Sequence, residues 1–211
     1  MTVATQSTSE FSQRLRARLH SQPPNERRRR SDFDLNPDMT RTRAIEQLTA
    51  AAVLVPLVVR HGEYHVILTV RANHLPSHAG QVSFPGGKVD PRDADLASTA
   101  LRETQEEIGL HREQIRLLGY LDLYETRTGY SILPVVGEVV ANFELKLARE
   151  EVEAAFEVPV SFLMNPENHQ RHQVKVRGAL RNYYAMPYEG QYIWGATAGI
   201  IKAMYDLLYD T

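Results

Sequence analysis

The sequence predicts an α+β fold in which helices pack on a mixed β-sheet, and three observations predict it. Residues 51–59, AAVLVPLVV, form a nearly unbroken apolar run that reads as a buried strand. Residues 96–108 place Leu96, Ala97, Ala100, Leu101 and Ile108 at helical spacing, the pattern of an amphipathic helix. The elements then follow in the order strands, helix, strands, helix, which suits a sandwich built on one sheet.

Taken along the chain, residues 1–40 are expected to be a flexible basic N-terminal arm. Arg14, Arg16, Arg18 and the run at residues 27–30 are basic, and apolar content is low. One short helix is expected near residues 10–19, and Pro23 and Pro24 mark a break. A polyanion-binding arm and an organellar targeting peptide are the alternatives, whereas residues 1–10 are too polar for a secretory signal. The folded domain is expected over residues 41–211. His61-Gly62 reads as a hairpin turn into a strand at 63–70. A polar loop fills 71–80, a short strand spans 82–84, and Pro85-Gly86-Gly87 turns toward the helix at 96–108. Gly109 is placed to end that helix in a left-handed cap. Strands are expected at 115–124 and 132–140, with shorter candidates at 159–163, 173–176 and 182–186. Residues 195–208 mix small and large apolar side chains at helical spacing and read as a packing helix.

The bulk numbers narrow the class. A chain of 211 residues with 43% hydrophobic and 24% charged residues suits one soluble domain. A net charge of −2 gives no general attraction to nucleic acid or an anionic membrane. The chain has no cysteine, which excludes disulfides and thiolate metal sites and fits a cytoplasmic location. No apolar run approaches the roughly 20 residues needed to span a bilayer. No nucleic-acid or membrane partner is expected, and the sequence is compatible with a homodimer.

The most informative stretch is residues 84–110, FPGGKVDPRDADLASTALRETQEEIGL. Positions three and four apart share a helix face, so Glu103, Glu106 and Glu107 crowd together. Like charges so close repel, and the arrangement makes sense around a hard divalent cation, Mg²⁺ or Mn²⁺. Glu103 and Glu107 are the principal candidate ligands and Glu106 the third. Arg102 is expected to orient a carboxylate by a bidentate contact. Gly86 and Gly87 let backbone approach a ligand closely.

This stretch resembles the Nudix box through Gly87, Asp93, Arg102, Glu103, Glu106, Glu107, Gly109 and Leu110. The spacer from Gly87 to Arg102 is one residue longer than the general pattern, and Thr104 stands where an aliphatic residue is usual. The resemblance implies an α/β/α sandwich, metal-dependent diphosphate hydrolysis, and metal-binding roles for Glu103, Glu106 and Glu107.

Residues 68–87, LTVRANHLPSHAGQVSFPGG, are similar to the signature of the family's coenzyme A pyrophosphatases. Leu68, Thr69, Arg71, Ala72, Gly80, Phe84, Pro85, Gly86 and Gly87 match. Ile67 replaces a leucine, and Pro76 stands in place of a second arginine. The likeness continues at Tyr130 and residues 134–136, at 150–159 and at 194–201. It implies a small-molecule nucleoside diphosphate substrate, coenzyme A or a derivative, cleaved to 3′,5′-ADP and 4′-phosphopantetheine. ADP-ribose, a dinucleotide such as NADH, or a nucleoside triphosphate are alternatives. A catalytically silent binding module is another.

Around this core, Arg71 is a candidate phosphate contact because its planar fork suits phosphate oxygens. His78 and Gln81 flank Gly80 and are candidate substrate contacts. Glu151 or Glu153 is a candidate general base. Tyr124, Tyr183 and Tyr192 are candidates to stack on an adenine or line a pantetheine channel. No G-x-G-x-x-G, P-loop or G-x-S-x-G elbow competes.

Overall fold

A computed structural model describes residues 8–25, 29–41, 43–140, 142–176 and 178–210. Its centre is a long hairpin. Strand β2 (Thr49–Arg60) turns at His61 and Gly62, both with positive φ (50° and 82°), into β3 (Glu63–Arg71). Two positive-φ residues give the turn whose twist matches that of paired strands. Strand β8 (Tyr130–Val139) lies parallel to β2 on the other side. Strands β1 (Arg29–Ser31), β7 (Leu123–Glu125), β8, β2, β3 and β4 (Val82–Ser83) follow one another in a nine-stranded mixed sheet. Strands β5 (Gly86–Lys88), β6 (Ile115–Tyr120) and β9 (Val152–Pro159) pair with β2, β8 and β3 respectively.

Side chains alternate across a strand, and here both faces are covered. Ala52, Leu54, Ile67, Leu133 and Val135 face helix α2 (Leu96–Ile108), packing on its Ala97, Ala100, Leu101 and Ile108. Val55, Leu57, Val66, Leu68 and Val136 face the opposite way, against α1 (Thr8–Arg18) and α4 (Gly195–Tyr209). The run at 51–59 is continuous rather than alternating because β2 lies between two helical layers. The fold is an α/β/α sandwich. A second, antiparallel three-stranded sheet, β10 (Gln170–Val176), β11 (Ala179–Tyr188) and β12 (Gln191–Trp194), packs beside α4. None of the described helices is long and apolar enough to cross a membrane.

Several expectations are corrected. The first 40 residues are not a solvated arm over their described length. Helix α1 falls where a short helix was expected, but Phe11 (2% exposed) and Leu15 (1%) bury themselves in the core. Residues 29–31 add a strand to the main sheet, so the boundary at residue 41 does not separate arm from domain. Three of the described arginines of this segment are bonded into the fold, whereas Arg16 and Arg18 are exposed. Arg14 Nη1 donates to the Leu208 carbonyl at the end of α4 (3.3 Å), with its guanidinium 4.6 Å from the Tyr209 ring. Arg29 pairs with buried Glu125 and Arg30 with Asp206. Arg27 and Arg28 lie outside the described residues. The strand candidate at 159–163 is the end of β9 followed by the single helical turn α3 (Val160–Leu163). The strand expected at 115–124 is two, β6 and β7. Gly86-Gly87 is not simply a turn: it forms β5 and pairs with Ala52 and Val53.

Leu15→Ala should cost about 2–5 kcal/mol, the range for truncating a fully buried leucine, read as a lower urea midpoint. An unchanged midpoint would contradict the packing of α1.

Candidate active site

Helix α2 begins at Asp95, whose side chain accepts the Ser98 N–H (2.7 Å), and ends at Gly109 (φ 74°). Its final carbonyls are also met: Lys146 N–H donates to Ile108 O (2.9 Å) and Ala148 N–H to Glu107 O (3.0 Å). Thr104 is completely buried, and its hydroxyl donates to the Ala100 carbonyl (2.6 Å). A threonine is tolerated at this apolar position because it bonds back to its own helix.

The loop entering the helix is held by Asp93. Arg102 grips it bidentately, Nε to Oδ1 at 2.8 Å and Nη2 to Oδ2 at 3.0 Å, and Thr99 Oγ1 adds a bond at 2.8 Å. These contacts hold the Asp93 carboxyl well below the usual range and the Arg102 guanidinium above its own. Arg102 Nη1 also bridges Glu103 (2.8 Å) and Glu106 (3.0 Å).

The three glutamates meet different surroundings. Glu107 is buried (5% exposed) and accepts the Gly86 N–H at 3.1 Å. Burial pushes its carboxyl up to about 8; the Gly86 bond and the Arg71 charge oppose this, while Glu103 and Glu151 add to it. Glu103 is half-buried, and burial raises its carboxyl too despite Arg102. Glu106 is mostly exposed (56%) and turned toward Arg102. Among the described residues no three acidic or histidine side chains already converge as a cation cage. The donors nevertheless suit a hard cation: carboxylate oxygens, one of them buried without a full counter-charge. A side chain on Gly87 would collide with the Glu103 carboxyl, so the glycine leaves the space this carboxyl occupies. Glu103 and Glu107 are therefore the residues that could hold Mg²⁺ or Mn²⁺, with Glu106 at the rim.

Glu151 lies near enough to act electrostatically on both Glu103 and Glu107. It is positioned at the β9 edge, where its carbonyl accepts the Ala72 N–H (2.8 Å). Glu153 lies on β9, where its carbonyl accepts a bond from Arg149 Nη1 (2.5 Å).

Arg71 ends β3. Its Nε is buried without a hydrogen-bond partner among the described residues, and its charge acts on Glu107. It lines a cleft of about 870 Å³ that His78, Gln81, Val53 and Phe84 also line. His78 Nδ1 and Gln81 Oε1 lie 2.8 Å apart, and His78 takes a positive φ of 59°. Pro76 sits on the exposed part of this loop. The structure thus brings Arg71, His78 and Gln81 to one cleft. That cleft adjoins the carboxylates through Val53, which pairs with Gly86.

A further wall comes from the N-terminal segment. Residues 30–36, within the expected arm, form one side. Asn36 accepts the Asn182 N–H (2.8 Å) and donates to its carbonyl (2.9 Å), as a neighbouring strand would. Asp32 accepts the Tyr124 hydroxyl and the Arg127 N–H, both at 2.9 Å, and burial raises its carboxyl. The Asp/Asn-rich SDFDLN segment was the available signal. Tyr124, Tyr183 and Tyr192 all line the cleft, but Tyr124 is buried (5% exposed) with its hydroxyl held by Asp32, whereas Tyr192 is the most open of the three.

Residues 48–177 match the model of the NUDIX domain. The chain is 42% identical over 152 residues to a protein described as uncharacterized Nudix hydrolase NudL from Yersinia pestis (strain Pestoides F), covering 72% of this chain and 76% of that one. Among solved structures it is similar to a MutT/nudix family protein from Enterococcus faecalis (16% identity, TM-score 0.48, 97% of this chain and 76% of the other). It is also similar to a C. elegans Ap4A hydrolase (24% identity, TM-score 0.46, 54% and 81%).

A carboxyl raised from its ordinary 4.5 to about 8 holds a proton in the metal-free fold that the unfolded chain releases. Stability of the metal-free protein should therefore fall as pH rises from about 4.5 to about 8. Glu107→Gln should flatten that slope and melt above the wild type at pH 8. Melting temperature against pH in chelator checks this, and equal slopes would contradict the buried carboxyl.

Proposed function

The chain belongs to the Nudix hydrolase family and acts on a diphosphate bond, and we propose that its substrate is coenzyme A or an acyl derivative. Water would cleave the diphosphate bridge to give 3′,5′-ADP and 4′-phosphopantetheine or its acyl form. The observation that carries the reading is the position of Arg71. It lines a large cleft and acts on the buried carboxyl of Glu107, with an Nε that no group among the described residues satisfies. A phosphate oxygen would satisfy it.

Nudix hydrolases generally use divalent metal ions, and we assign Mg²⁺ or Mn²⁺ to Glu103, Glu107 and Glu106. A bound cation supplies charge neutralisation at phosphate oxygens and a more acidic bound water. The chain's own residues do the positioning that phosphorus chemistry chiefly demands. Arg102 keeps Glu103 and Glu106 from repelling each other apart, and the Gly86 N–H fixes Glu107. Glu151, beside them, is our candidate to accept a proton from the attacking water. The matched residues at 68–87 support coenzyme A over other diphosphates, and we place the activity in the cytoplasm on the cysteine-free composition.

Hydrolysis of coenzyme A, acetyl-coenzyme A, ADP-ribose, NADH and a nucleoside triphosphate, each with Mg²⁺ or Mn²⁺ and read by mass, tests the proposal. Fastest release of 4′-phosphopantetheine is expected. A preference for another diphosphate would move the substrate and keep the chemistry. Glu107→Gln should stay folded and lose about a hundredfold or more in kcat, since several kcal/mol of charge stabilisation depend on the cation. Turnover near the wild-type rate would remove Glu107 from the site.

A further inference from the structure

We propose that the open face of the small sheet is the base subsite of the cleft, stacking the planar purine of a nucleoside diphosphate against Tyr192. The proposal rests on the reading of the chain as a hydrolase of such a substrate, and it assigns the end of the cleft away from the carboxylates.

The register places the rings together. His172 pairs with Tyr183, and Tyr192 and Trp194 lie on the adjacent strand opposite Pro187 and Ala185. Alternate residues share a face, so His172, Tyr183, Tyr192 and Trp194 project to the same side. Tyr183 and Trp194 meet edge-on with centroids 5.4 Å apart, and Tyr192 lies 6.3 Å from Trp194 at 34°. The Tyr192 hydroxyl is held by His172 Nδ1 (2.7 Å) and by the Tyr183 hydroxyl (3.2 Å).

Aromatic residues in a strand more often serve a core. Here the core side of this sheet is filled by other residues: Met186 and Ile193 are fully buried on the opposite face. Tyr192 remains 39% exposed although its hydroxyl is fixed at two points. A ring locked in place with an open face is a preorganised stacking surface, and little side-chain entropy remains to be lost on binding.

The cleft also has the right extent. At about 870 Å³ it far exceeds what a diphosphate needs and lies in the range of sites that enclose whole nucleotide-sized ligands. It runs from Arg71 and Val53, beside the carboxylates, to Tyr192 and Trp194, with Arg181 also on its wall. A flexible pantetheine arm gains little from rings held at fixed angles, whereas a purine has a π-face to match them.

Trp194 is the chain's single tryptophan, so its emission reports on this face alone. The full chain, metal-free in chelator, is titrated with 3′,5′-ADP and separately with 4′-phosphopantetheine, which has no base. Saturable quenching by 3′,5′-ADP only is expected. Tyr192→Ala should weaken that binding about tenfold or more, and Tyr192→Phe, which keeps the ring, should restore most of it. In steady state the Tyr192→Ala loss should fall mainly on KM. Equal quenching by the base-free compound, or unchanged 3′,5′-ADP affinity in Tyr192→Ala, would overturn the subsite. Wild-type hydrolysis of coenzyme A, ADP-ribose and NADH is measured in parallel. Hydrolysis without base-dependent quenching removes the subsite and leaves the hydrolase reading standing. No hydrolysis of any of them removes both.

Discussion

The hydrogen bond from the Gly86 N–H to the buried carboxylate of Glu107 is the contact on which the site depends. It ties the last turn of α2 to the central strand, because Gly86 is itself paired with Val53. Gly86 can sit there only without a side chain: its φ is 153°, and a Cβ would run into the backbone of Ala52 and Val53. Gly87 then leaves room for Glu103. Two adjacent glycines thus let a helix bring carboxylates against a sheet edge that would otherwise be filled. A buried anion is costly, and burial accordingly raises the affinity of Glu107 for a proton. A cation would relieve it. The fold is therefore strained electrostatically in the place where the family's chemistry needs a metal.

Other parts of the molecule serve to keep this place open on one side. The helical layers on both faces of the main sheet hold β2 rigidly between them. The N-terminal segment then closes the cleft rather than trailing from it. Asn36 caps the free edge of β11. Glu125, buried at the base of that wall, is neutralised by Arg29 and Arg41. Arg29 and Arg41 thus form an internal network with Glu125 rather than a free basic surface.

Much of this was legible in the sequence where local signals were strong. The helix expected over 96–108 is observed there, since its apolar period and Gly109 agree; the Asp95 cap emerges only in the structure. The hairpin at His61-Gly62 was equally clear. The N-terminus was misread because Phe11, Leu15 and Phe33 are too sparse to show a period, although each finds a place prepared by distant strands. Composition records how much apolar surface a segment has, not whether a complementary surface awaits it. The break between β6 and β7 was hidden in continuous strand-like sequence. At the site, the carboxylates announced themselves by helical spacing. Asp32, Asn36 and Asn182 did not, because they act through contacts 92 to 146 residues apart along the chain.

The chemistry requires that Glu103 and Glu107 take a divalent cation at the Gly86-Gly87 edge. Electron paramagnetic resonance of Mn²⁺ titrated with the full chain tests it without reference to any substrate. Wild-type protein should remove the free-ion signal, and Glu103→Gln and Glu107→Gln, each with its fold intact, should both leave it in place. Mn²⁺ binding of undiminished strength in both variants would contradict it.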